Sequence, residues 1–116
     1  MLKPNRGSTK TTNQLSSTPG ISRNQAEKYL AKVPGENAFW CNDGCMLRDL
    51  EDLKDSLARM SDQTFAYHSN EIKNDFSNWV RDIIGDEKLA KDLEKASNRE
   101  EAARIVEDRY IYLKNL

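Results

Sequence analysis

Apolar side chains recur at helical spacing from Ala26 onward. Ala26, Tyr29, Leu30 and Val33 form the first such run, behind Ser22-Arg23-Asn24-Gln25, which has the spacing of a capping box; Pro34-Gly35 ends that helix. Leu47, Leu50, Leu53, Leu57 and Met60 then stand three or four residues apart with charged positions between them, which predicts an amphipathic helix. Ser61 is the natural cap of a short helix around Asp62 to His68. Beyond the polar stretch SNEIKN, Asp75 is placed to cap a helix carrying Phe76, Trp79, Val80 and Ile83 on one face. Gly85 stops it, and Asp86 starts a further one with Leu89, Ala90 and Leu93 inward. The last helix opens at a second capping box, Ser97 with Glu100 or Asn98 with Glu101, and uses Ala102, Ile105, Val106, Tyr110 and Leu113.

Between the first two helices, AFWCNDGCML sets the apolar pairs Phe39-Trp40 and Met46-Leu47 on either side of Asp43-Gly44. That dipeptide accepts positive φ readily, so a short hairpin-like turn is expected near residues 39–47. The predicted fold is therefore mainly α, a compact array of five or six short helices. The Leu47 to Met60 stripe is too short for a coiled coil, and no internal repeat is evident.

Residues 1–21, MLKPNRGSTKTTNQLSSTPGI, are rich in Ser, Thr, Asn, Gly and Pro and are expected to be a disordered basic tail. A single helical domain over 22–116 follows, in keeping with 116 residues and 37% hydrophobic content. No apolar run has the ~18 residues of a membrane span and no secretory leader is visible, which points to the cytoplasm and away from membranes. Cys41 and Cys45 are too few and too close for a disulfide framework and are expected to be reduced thiols.

Charge is divided unevenly. Residues 1–35 hold Lys3, Arg6, Lys10, Arg23, Lys28 and Lys32 against the single acid Glu27, so the remainder is acidic. The six cations are candidate phosphate contacts, although they are too sparse to form a dense nucleic-acid or membrane patch. The segment LAKDLEKASNREEAARIVEDRY has a helix–turn–helix rhythm, but Arg99-Glu100-Glu101 and Glu107-Asp108 would set carboxylates against phosphates.

The only histidine, His68, stands near Phe65, Asp75, Phe76 and Trp79 in sequence, and these five residues are expected to form a structural cluster. Asp75 is positioned to cap its helix and to accept a hydrogen bond from His68 or the Trp79 indole. An acid–base role for His68 and Asp75 is disfavoured because no nucleophile, oxyanion donors or phosphate-cradling glycine loop accompany them; no catalytic residue and no cofactor are expected. A Zn²⁺ site built from Cys41, Cys45, His68 and Asp75 is the sharper alternative. It is the weaker one too, since C-x3-C lacks the paired C-x2-C motif and one histidine is the only nitrogen ligand. Two thiols packed as small hydrophobes account for the cysteines, and a redox pair would want C-x2-C at a helix start.

Trp40, Tyr67, Tyr110 and Tyr112 are more aromatic surface than a small core requires, and Trp40, Tyr110 and Tyr112 are the candidate protein-binding surface. Phe65-x-x-His68, Asp75-Phe76-x-x-Trp79 and Gly85-Asp86-x-x-Leu89-Ala90, with Phe39-Trp40 and Asp43-Gly44 ahead of the leucine-rich helix, resemble a domain-of-unknown-function family of archaea and some bacteria over about residues 38–96. That resemblance implies a small helical module, found alone or attached to other domains, with no established catalytic activity. The two cysteines depart from the family's pattern. The combined expectation is a non-enzymatic protein-interaction module of unknown partner; the alternative is a nucleic-acid-associated protein contacting phosphates through its basic tail.

Overall fold

Six polar side chains start six α-helices in residues 20–116, the part of the chain that the computed structural model describes. Ser22, Asp49, Ser61, Asn74, Asp86 and Asn98 each accept a hydrogen bond from the backbone N–H three residues on, satisfying one of the orphan donors of a helix start. The helices are α1 (Arg23–Leu30), α2 (Leu50–Arg59), α3 (Asp62–His68), α4 (Asp75–Trp79), α5 (Glu87–Glu94) and α6 (Arg99–Lys114). Two short antiparallel strands, β1 (Phe39–Trp40) and β2 (Met46–Leu47), lie between α1 and α2. The protein is thus mainly α, with one hairpin at residues 39–47.

The core is organised by α2 and α6, which pack on each other; α1 and α5 flank α6, and α4 packs on α5. Leu50, Leu53 and Leu57 of α2, Leu89 and Leu93 of α5, and Val106 and Leu113 of α6 are all buried. Of the two possible boxes before α6, Asn98 caps through the Glu101 N–H, and the Glu101 carboxylate in turn accepts from the Ser97 N–H.

Three local readings are corrected. The helix α1 ends at Leu30, not at Pro34-Gly35: Ala31 is extended, and Val33 donates its N–H to the Arg48 carbonyl at 2.8 Å. Val33 precedes a proline, whose ring disfavours helical geometry at that residue. Asn74, not Asp75, caps α4, which leaves the Asp75 carboxylate free to face another group. After Trp79 the chain widens into a π-turn over Val80–Ile84, closed by the Gly85 N–H on the Val80 carbonyl at 2.7 Å. A five-residue turn takes one residue more than an α turn, so Ile84 is buried where Ile83 was expected, and Ile83 is exposed. Gly85 then leaves the helix at φ 94°, a conformation that costs side-chain-bearing residues energy.

Candidate functional site

The aromatic residues of α3 and α4 meet the hairpin. Phe76 stacks on Phe39 at 5.1 Å and on Phe65 at 5.7 Å between ring centroids, while Trp79 and His68 meet Phe39 edge-on. The structure therefore brings Phe65, His68, Asp75, Phe76 and Trp79 together, with Phe39 at their centre. The indole N–H of Trp79 donates to the Asn37 carbonyl at 2.8 Å and not to Asp75, tying α4 to the turn that precedes β1.

His68 is buried and spends both ring nitrogens. Its Nε2 accepts the backbone N–H of Asn42 at 2.9 Å, so the proton sits on Nδ1, which donates to Asp75 Oδ2 at 3.1 Å. Lys73 Nζ lies 3.0 Å from the same carboxylate oxygen and over the Tyr67 ring. Partial burial pushes the Asp75 carboxyl up, but the hydrogen bonds from His68 and Lys73 outweigh it and hold the group below its ordinary value. A chain of polar contacts thus runs from the hairpin loop through α3 to α4. Neither imidazole nitrogen can serve a substrate without first giving up a partner.

The loop itself is a tight turn. Gly44 donates its N–H to the Cys41 carbonyl at 2.9 Å, adopts φ 95°, and is followed by Cys45, whose N–H donates to Asp43 Oδ1 at 3.0 Å. This is the three-residue hairpin loop in which a left-handed glycine forms a bulge. Cys41 is buried and Cys45 half-buried, both as free thiols. Among the described residues, no group of three or more His, Cys, Asp or Glu side chains is placed to hold a metal ion. Of the four proposed ligands, Cys41, Cys45, His68 and Asp75, the imidazole presents to the hairpin a nitrogen that accepts the Asn42 backbone N–H.

The candidate protein-binding aromatics lie on two elements. Trp40 is 62% exposed on β1 and is opposed by Met46 on β2, itself 40% exposed, so the hairpin has an apolar outer face. Tyr112 is exposed on α6 beneath the Arg109 guanidinium, whereas Tyr110 is half-buried between the ammonium groups of Lys54 and Lys114. Of the candidate phosphate contacts, Lys3, Arg6 and Lys10, with the tail assignment for residues 1–19, lie outside the described residues. Ile21 is half-buried against the core. Arg23 donates to the Leu116 carbonyl, Lys32 pairs with the buried Asp49 at 2.9 Å, and Lys28 is exposed on α1.

Sequence reasoning missed a buried ion pair. Arg109 on α6 donates to both carboxylate oxygens of Asp86, Nε to Oδ2 at 2.7 Å and Nη2 to Oδ1 at 2.9 Å, while Asp86 Oδ1 also caps α5. The cap was readable; its cationic partner, 23 residues away on another helix, carried no local signal.

No family model, curated protein or solved structure matches this chain. No helix among the described residues is long and apolar enough to cross a membrane.

Proposed function

We propose that this chain is a non-enzymatic cytoplasmic module that binds another protein through the outer face of its hairpin, Trp40 with Met46, with Tyr112 on α6 as a second contact. The observation that carries the reading is the fixed presentation of Trp40. Its neighbour Phe39 is buried in the aromatic cluster, and His68 holds the loop two residues further on. A tryptophan held in this way offers large contact area with little ordering left to lose on binding, the property that makes indoles frequent interface anchors. The engaged imidazole of His68 argues against catalysis at the histidine–aspartate pair.

Nuclease-treated lysate of the host, passed over the parent protein, Trp40→Ala and Tyr112→Ala, tests the reading. Capture that drops at least tenfold in Trp40→Ala, with an unchanged melting temperature, supports it; equal capture by parent and Trp40→Ala overturns the assignment of the hairpin face. The second reading rests on the concentration of cations in the first 35 residues, and makes Lys3, Arg6, Lys10, Arg23, Lys28 and Lys32 phosphate contacts. It requires nucleic-acid binding that weakens steeply with added salt and is lost when the first 21 residues are removed.

A further inference from the structure

Cys41 and Cys45 extend the hairpin ladder by one pair. Phe39 is registered with Leu47 and Trp40 with Met46, so the next opposed positions are the two cysteines, and the Cys41 N–H donates to the Cys45 carbonyl at 2.8 Å. Side chains alternate along a strand, which sets both thiols on the face of Phe39 and Leu47 and opposite to Trp40 and Met46. Burial agrees: Phe39, Cys41 and Leu47 are buried, and Cys45 packs half-buried against the same core. Opposed residues of an antiparallel pair have Cα atoms about 4.5–5.5 Å apart, within the ~4.4–6.8 Å that a disulfide spans.

We propose that Cys41 and Cys45 form a reversible dithiol–disulfide couple across the hairpin, oxidised by exchange with a low-molecular-weight disulfide of the glutathione type. Cys45, the more accessible thiol, attacks as its thiolate one sulfur of the oxidant; the oxidant's S–S bond breaks, one glutathione leaves, and a mixed disulfide forms on Cys45. Cys41 then gives up its proton and attacks the Cys45 sulfur from across the ladder, expelling the second glutathione. Two protein thiols have lost two electrons and two protons, and one disulfide oxidant has become two thiols. The second attack happens inside the protein, so Cys41 needs no solvent access. Burial, with the nearby Asp43 and Cys45, pushes the Cys41 thiol up to about 11 against a weaker opposing hydrogen bond to Ser56. The low thiolate fraction this leaves on Cys41 at neutral pH slows ring closure. Once closed, the bridge joins the two ends of the loop that His68 holds and fixes covalently the hairpin bearing Trp40.

The full-length protein, equilibrated in glutathione buffers of stepped reduced-to-oxidised ratio, acid-quenched, alkylated and digested, reports the couple through the tryptic peptide 33–48, which contains both cysteines. The expected product is that peptide lacking two hydrogens. Cys45→Ser should leave Cys41 reduced, and Cys41→Ser should stop at the Cys45 mixed disulfide. A parent protein that also stops at the mixed disulfide, or that bridges only between molecules, overturns the proposal. Repeating the titration in urea separates placement by the fold from mere closeness in sequence. Native protein should be half-oxidised under conditions at least tenfold more reducing than the unfolded chain, and an equal or smaller preference would refute the placement.

Discussion

Replacing Arg109 by alanine strands the Asp86 carboxylate in the core, and the cost can be worked from the geometry. The two side chains are 12% and 1% exposed and are joined by two charge-assisted hydrogen bonds of 2.7 and 2.9 Å. Breaking a buried pair from one side costs about 3–5 kcal/mol, chiefly because the remaining charge is left uncompensated. For a domain of this size that is a drop of roughly 12–40 °C in melting temperature, at about 4–8 °C per kcal/mol. Asp86 also caps α5 through the Leu89 N–H, so the charge and the cap must be separated. Asp86→Asn keeps a capping oxygen and should lose about 1.5–3 kcal/mol; Asp86→Ala should lose about 1 kcal/mol more. Asp86→Asn combined with Arg109→Met leaves no buried charge, and should be more stable than the sum of its single changes by about 1–3 kcal/mol. Urea unfolding followed by the fluorescence of buried Trp79 reads the parent, these four variants and Arg109→Met alone, which completes the cycle. Arg109→Ala within about 1 kcal/mol of the parent, or strict additivity in the double variant, would refute the assignment of an interdependent buried pair.

Trp79→Phe retains an aromatic ring but leaves the Asn37 carbonyl without its donor, and should cost about 1–3 kcal/mol in urea unfolding, whereas Trp79→Ala should cost about 3–5 kcal/mol. Gly85→Ala should destabilise by about 1–2 kcal/mol from backbone strain alone, since an added Cβ at φ 94° would meet only Tyr29 Cε1 at an unstrained 3.9 Å; a neutral result in thermal melts would count against that conformation. Because His68 and Lys73 hold the Asp75 carboxyl below its unfolded value, their stabilisation is complete above the ordinary carboxylate range and is lost as pH falls through the depressed value. Asp75→Asn should flatten that acid limb of stability measured against pH, and an unchanged slope would show that the limb belongs to other carboxylates.

Local signals placed the helices well, and the reason is visible at their starts: every one of the six described helices opens on a Ser, Asp or Asn whose side chain accepts the N–H three residues on. Such a cap is encoded within one turn. Asp43-Gly44 announced the hairpin for the same reason, since the left-handed position of its loop favours the glycine that occupies it. Boundaries failed where distant or geometric effects decided. Val33 left the first helix to pair with Arg48, 15 residues on, and the π-turn after Trp79 shifted the inward position from Ile83 to Ile84 without altering the apolar composition that a periodic pattern reads. The grouping of Phe65, His68, Asp75, Phe76 and Trp79 followed from their closeness in sequence. Phe39 at its centre, the Asn42 amide on His68 and the Arg109 guanidinium on Asp86 each come from another part of the chain, and no local pattern points to them.

The hydrogen bonds that hold the hairpin reach far along the chain. Strands of two residues cannot sustain themselves, and the groups that secure this pair lie 26 residues downstream at His68, for the Asn42 amide, and 42 downstream at Trp79, for the Asn37 carbonyl. During synthesis the hairpin is complete in sequence long before it is complete in structure. It must wait for α3 and α4 to emerge and to pay the closure entropy of those loops, which makes β1 and β2 late elements to set although they are early in the chain. A nascent chain ending before Asp62 would carry the whole turn, its glycine and both its strands, and would still lack what keeps Phe39 inside and Trp40 out.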